Sequence, residues 1–154
     1  MLIQAAEESF QQGVSLLGRG RKREALAFFN GAVEIERRFG AERPQARYLS
    51  YYGLCLSHTN GDQHEAVRAC REAASLEGYR PEVCWNLGQV LLSNGKRAEA
   101  FQAFQRGLKL QPGHPGILKD LQRMGKRRAP VLRFLSRSHP VNIALGRILR
   151  PARA

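Results

Sequence analysis

The sequence predicts an all-α fold: three helix pairs stacked side by side, a capping helix, and a basic C-terminal tail. Three observations lead there. Ala25, Ala66 and Ala100 stand at the same place in three copies of one pattern, and Ala66 and Ala100 are 34 residues apart. Each copy contains a helix-compatible apolar run that stops at a glycine, Gly20, Gly61 or Gly95. Glycine suits that place because it enters the left-handed conformation without a side-chain clash. A second helix-compatible stretch follows each glycine, so every copy reads as helix A, turn, helix B. Such a unit cannot bury its apolar face alone, and the copies must stack.

In the first copy helix A carries Phe10, Gly13 and Leu16, and helix B carries Ala25, Phe29 and Ala32. The second has Tyr52, Gly53 and Leu56, then Ala66, Cys70 and Ala73. The third runs from Pro81 to His114 and has Cys84, Trp85, Leu87, Gly88 and Leu91, then Ala100, Phe104, Gly107 and Pro112. Gly13, Gly53 and Gly88, with the three alanines, allow paired backbones to approach closely, while Phe29 and Phe104 fill the gaps between neighbouring pairs. Ala25 and Ala66 are 41 residues apart, seven more than the second interval. One extra residue is assigned to the turn SHTNGD and six to the link RRFGAERPQ, which lengthens helix B or the connection after it. Loop closure tolerates that at small cost. Ile117, Leu118, Leu121 and Met124 follow Pro115 at helical spacing and predict the capping helix. The helical domain is expected over 1–125 and the tail over 126–154.

Residue by residue, the third copy resembles a tetratricopeptide repeat. It has Leu-Gly and a large apolar residue on helix A, then a small residue, an aromatic one turn later, a second small residue and Pro. It departs from that pattern with Cys84 at the usual Trp position and Gly107 at a usual Ala position. The resemblance implies a right-handed α–α superhelix whose A helices line a concave groove. It also implies an adaptor or chaperone-like scaffold that holds a peptide or helix of another protein there. The corresponding positions are Phe10, Gln11, Val14 and Leu17; Tyr51, Leu54, Ser57 and His58; and Trp85, Asn86, Gln89, Leu92 and Ser93. In many family members an Asn at the Asn86 position grips the backbone of an extended peptide; a solvated surface Asn is the alternative. Some members clamp a chaperone's C-terminal carboxylate with Lys, Asn and Arg. The matching positions here are Phe10, Val14, Tyr51, Glu82 and Asn86, which disfavours that ligand because Glu82 repels a carboxylate. Small three-repeat bacterial proteins, including type III secretion chaperones, are closest in size.

The net charge is +12, unevenly spread. Residues 1–120 hold 16 Lys/Arg against 13 Asp/Glu, whereas residues 121–154 hold nine Lys/Arg and no acid. Lys126, Arg127, Arg128, Arg133, Arg137, Arg147 and Arg150 give the tail its charge. Within it Val141, Ala144, Leu145, Ile148 and Leu149 fall on one helical face, a short basic amphipathic helix. The tail is expected to dock on its own groove, on a partner or on an anionic membrane. Nucleic acid is the weaker alternative: charge favours it, but no zinc-finger spacing or stacking aromatic series accompanies the charge.

Catalysis, a cofactor and a metal are not expected. His58, His64, His114 and His139 fall at turns or segment edges, without carboxylates at triad or ligand spacing, and His58, Asp62 and His64 make at most an adventitious metal site. Gly18-Arg19-Gly20 lacks the rest of a phosphate-binding loop. Cys55, Cys70 and Cys84 are an odd number in apolar surroundings and read as small buried hydrophobes. The first residues lack a positive start and a long apolar run, so the chain is expected in a reducing cytoplasm. Monomer and homodimer stay equally open.

Overall fold

The computed structural model describes residues 2–39 and 45–125. Among them are seven helices and no strand: α1 (Leu2–Gly18), α2 (Lys22–Arg38), α3 (Ala46–His58), α4 (Gln63–Glu77), α5 (Pro81–Ser93), α6 (Arg97–Leu110) and α7 (Pro115–Met124). The first six form three antiparallel hairpins, α1–α2, α3–α4 and α5–α6, and each packs on the next. Residues Met1–Leu121 make one compact unit; the chain from Gln122 on groups separately. The tail residues Lys126 to Arg150 named above lie outside the described residues, as does the amphipathic face of 141–149.

Each repeat alanine is the fourth residue of its B helix, and all three are fully buried. What they face explains the glycines. A Cβ on Gly13 would stand 2.7 Å from the Phe29 ring, and one on Gly88 would stand 2.3 Å from the Phe104 ring. These two glycines therefore make room for an aromatic ring inside their own hairpin. Gly53 differs, because Cys70 occupies the ring position. The α3 and α4 backbones close up instead, and a Cβ on Gly53 would lie 2.7 Å from both the Ala66 carbonyl oxygen and Cys70 Sγ. Phe29 and Phe104 are fully buried, each worth about 1.5–3 kcal/mol of transfer free energy.

The seven-residue excess is accounted for in three places. Helix α2 has 17 residues against 15 in α4. Seven residues separate α2 from α3, whereas three separate α4 from α5. The remaining one is in the α3–α4 turn, where it corrects an expectation. Gly20 (φ 77°) and Gly95 (φ 73°) take the left-handed position, but in the second repeat Asn60 (φ 56°) takes it and Gly61 does not. The closing bonds show the equivalence: Arg21 N–H donates to Leu16 O, Gly61 N–H to Leu56 O and Lys96 N–H to Leu91 O, all at 2.9–3.0 Å. Asn tolerates the left-handed region better than other non-glycine residues, and Gly61 is needed for closeness, since a Cβ there would lie 2.4 Å from Leu56 Cδ1. The inserted residue is Asp62. Its Oδ1 accepts from His64 N–H (2.8 Å) and Glu65 N–H (3.1 Å), giving α4 a side-chain N-cap that α2 and α6 lack. That capping role also takes Asp62 from the His58–Asp62–His64 metal reading.

The long α2–α3 connection is closed at its far end by Glu36, a buried carboxylate that accepts from Gln45 N–H at 2.5 Å. Helix α7 begins at Pro115, and Ile117 is its fully buried anchor. A Cβ on Gly107 would meet Ile117 Cδ1 at 2.4 Å. The departure of Gly107 from the usual Ala thus belongs to the cap: the small residue opens the socket that Ile117 fills.

Two outcomes follow. Gly88→Ala overpacks the Phe104 pocket and should cost about 1–3 kcal/mol in urea unfolding, whereas Gly113→Ala, with open space around its Cα, should change stability little. Burial pushes the Cys55 thiol up to about 11 and Cys70 up to about 12, and Cys84 also titrates above its ordinary range. All three are free and buried. A thiol reagent at pH 8 should therefore leave them unlabelled until denaturant is added; rapid labelling in native buffer would contradict the packing.

Candidate functional site

Two kinds of interface sew the A helices together. Between the first and second hairpins the interface is aromatic. Phe10 lies 5.5 Å from Phe29, 4.9 Å from Tyr48 and 5.4 Å from Tyr51 between ring centroids, the last edge to face. Arg47 crosses from α3 to pair with Glu7 on α1, and its guanidinium lies 5.1 Å from the centroids of both Phe10 and Tyr48. Tyr48 donates its hydroxyl to Glu7 Oε2 at 2.7 Å. Hydrogen bonds from Gln11 and Tyr48 hold Glu7 below the usual glutamate range; burial opposes them, and the Arg47 charge and hydrogen bond add to the lowering.

Between the second and third hairpins the interface is polar. Asn86 Nδ2 donates to Ser50 Oγ at 3.0 Å, and both residues are buried. Ser57 Oγ donates to Gln63 Oε1 (2.9 Å) and shares a 2.7 Å hydrogen bond with Ser93 Oγ. Asn94 Nδ2 reaches the same Gln63 oxygen at 3.0 Å. Four residues from three helices and a turn thus fix the register of α3 against α5.

Helix α7 supplies a third element of this face. Trp85 Nε1–H donates to Asp120 Oδ2 at 2.8 Å, and the indole is 5.0 Å from the His114 ring. Gly116 lies against the indole so closely that a Cβ would come within 2.3 Å of it. His114 in turn accepts the Ile117 N–H through Nδ1 at 3.2 Å, capping the start of α7. His58, at the end of α3, is half-buried, and its Nδ1 has no hydrogen-bond partner among the described residues. Burial lowers its pKa, Lys22 lowers it further, and the Asp120 carboxylate partly offsets both.

The expected groove residues therefore divide. Val14, Leu17, Tyr51, Gln89 and Leu92 are half-buried and Gln11 is exposed, with its amide on Glu7. Phe10 and Leu54 are buried in the stack rather than forming an open wall. Asn86, expected as a peptide grip or a solvated amide, is 1% exposed and turned to Ser50. Trp85, expected to face a ligand, is held by α7. Ser57 and Ser93 belong to the register network. The residues missed are Asp120, Gly116 and His114. Their signal was present: a glycine in the first turn of the capping helix, with an acid four residues later on the same face.

The described fold can now be set beside known proteins. The family model described as "Tetratricopeptide repeat" matches residues 81–114, the third hairpin with its two flanking turns. Over the stack, the second tetratricopeptide domain of human RPAP3, solved in complex with an HSP70 peptide, superposes with a TM-score of 0.65 at 19% identity, covering 82% of this chain and all of that one. The type III secretion translocator chaperone SycD of Yersinia enterocolitica gives 0.57 at 18% identity, covering 78% and 86%. The stack has the tetratricopeptide-repeat fold. Among sequences, this chain is 29% identical over 90 residues to the photosystem I assembly protein Ycf3 of Cyanophora paradoxa, covering 58% of this chain and 49% of that protein. The chain spans about half the length of the curated relatives it matches. No helix among the described residues is long and apolar enough to cross a membrane.

Two measurements test this description of the tetratricopeptide face. Trp85 is the sole tryptophan, so Asp120→Ala should shift indole emission and lower stability by about 1 kcal/mol; unchanged emission would mean the latch is not made. Glu7 carries a depressed pKa, so the stability it contributes is present above the ordinary glutamate pKa and lost as pH falls through its lower folded value. The acid limb of stability against pH should flatten in Glu7→Gln, and a limb as steep as the parent's would contradict the Glu7 contacts.

Proposed function

We propose that this protein is a non-catalytic adaptor that holds a peptide or helix of another protein against the A-helix face of its tetratricopeptide stack. The observation that carries the reading is the set of half-buried apolar side chains contributed by all three A helices, Val14 and Leu17, Tyr51, and Leu92. Side chains of that kind on one face suit a contact site. The similar RPAP3 domain was solved with a bound peptide, and the Ycf3 relatives are named for assembling a multisubunit complex. Together these favour an assembly factor or chaperone-like scaffold over a signalling switch. Glu82, exposed at the start of α5, argues against a C-terminal carboxylate as the ligand's anchor. Asn86, engaged by Ser50, is a register residue in this reading and not the grip on the peptide backbone.

The tail supports a second reading, binding to an anionic membrane surface or nucleic acid, on the one ground that its nine cations have no acid among them from residue 121 on.

A photo-cross-linking residue placed at Gln89 or Leu92 in cells of the source organism should capture a defined protein, and Tyr51→Ser or Leu17→Asp should reduce the yield at least about fivefold. Equal capture from Gln102 on the outer face would overturn the groove reading. The tail reading predicts binding to anionic vesicles or duplex DNA that falls steeply with salt and disappears when 126–154 is removed.

A further inference from the structure

The outer face of the stack carries a second candidate site, unrelated to the A-helix face. A cleft of about 490 Å³ runs along α4 and ends against the α5–α6 turn. Its wall is one face of α4: Gln63 and His64, Val67 with Arg68, Arg71 with Glu72, and finally Ser75, so one carboxylate stands among the cations. The turn contributes Asn94 and Lys96.

The cations here are arranged unequally. Arg68 is held by Glu65 through two hydrogen bonds of 2.7 Å, with Glu72 at 3.5 Å on its other side. Arg71 commits only Nη2, to Glu99 on α6 at 2.5 Å, so its Nε and Nη1 donors stay available and its position is fixed across two hairpins. Lys96 makes no ion pair among the described residues, and the His64 ring likewise has no partner there. Arg71 thus presents unused donors from a held position, and the exposed Lys96 offers an unpaired ammonium across the cleft. From His64 to Ser75 the helix rises about 16 Å, the length of about five residues of extended chain. A single small anion would use a fraction of it.

The geometry points to this cleft as a docking site for an acidic peptide strand of a partner protein, with one carboxylate received by Arg71 and another by Lys96. Guanidinium forks match carboxylates in geometry, the apolar floor at Val67 suits the strand's aliphatic stems, Arg71 keeps its Glu99 contact while its other donors receive the ligand, and the exposed pairs of Arg68 to Glu65 and Glu72 yield at little cost because surface ion pairs are weak. The cleft is on a B helix and the proposed groove on the A helices, so the two sites accommodate separate segments of one partner and raise its avidity.

The test uses the full chain and a fluorescein-labelled octapeptide of alternating glutamate and serine, followed by fluorescence anisotropy at low salt. Lys96→Gln and Arg71→Gln should each weaken binding about tenfold and together remove it, with helicity by circular dichroism unchanged. Because the tail is basic, an Arg147→Gln/Arg150→Gln chain is measured beside them and should keep the parent affinity. The glutamine analogue of the peptide should not bind. The proposal is overturned if the parent chain does not bind the peptide, if Lys96→Gln and Arg71→Gln bind as the parent does, if the glutamine analogue binds equally, or if the tail substitutions alone abolish binding.

Discussion

The closeness of helix A to helix B within each hairpin is the constraint on which the rest of this structure depends. It is set where a glycine of the A helix faces the fourth and eighth residues of the B helix. In the first and third hairpins the eighth residue is a phenylalanine whose ring lies against the glycine Cα; in the second it is Cys70, and the backbones themselves approach. A methyl group at any of the three glycines would stand 2.3–2.7 Å from its nearest neighbour. Close-packed interiors do not absorb such an intrusion without moving something. Here the ring of the B helix is also what the next hairpin packs against: Phe29 meets Tyr51 of α3 at 5.4 Å between centroids. Displacing it would disturb two layers at once.

From that packing the interfaces between hairpins acquire different chemistries. The first is aromatic and tied by an ion pair, Glu7–Arg47; the second joins a buried Asn86–Ser50 pair to a part-buried cluster of hydroxyls and amides on Gln63. Aromatic contacts tolerate small rotations, whereas a buried amide left without its partner costs free energy. The second interface therefore fixes register more strictly than the first, and α5 sits where its last turn can be bonded by the α3–α4 turn. That strictness matters for α7, because the indole it grips belongs to α5. A shift of α5 by one residue would carry Trp85 off the Gly116 surface and away from the Asp120 carboxylate.

The repeat pattern was legible because it is local. Glycine turns, alanines at the start of B helices and an aromatic one turn later each follow from packing within one hairpin, and a hairpin is contiguous in sequence. Even the seven-residue excess could be counted, although its division among helix, link and turn could not. The turn shows why. The sequence offers Asn60 and Gly61 side by side, and glycine propensity alone favours the second; the left-handed position belongs to Asn60 because Gly61 is required for contact with Leu56. Propensity was overruled by a side chain five residues away.

The face of the A helices was less legible, for a related reason. Position on an A helix says which residues are candidates for a contact face, and of these Val14, Leu17, Tyr51, Gln89 and Leu92 are half-buried. Position does not say which of them the rest of the chain covers. Asn86 looks like a peptide-gripping amide until Ser50, 36 residues earlier, is seen to hold it; Trp85 looks like a ligand sensor until Asp120, 35 residues later, is seen to hold that. The sequence by itself determined the helices, their pairing, and the burial of the three cysteines, because periodicity and residue size act over a few turns. Only the tertiary structure decided which A-helix side chains the rest of the chain covers, since that depends on hydrogen bonds and close contacts between residues three dozen places apart, to which hydrophobic period is blind.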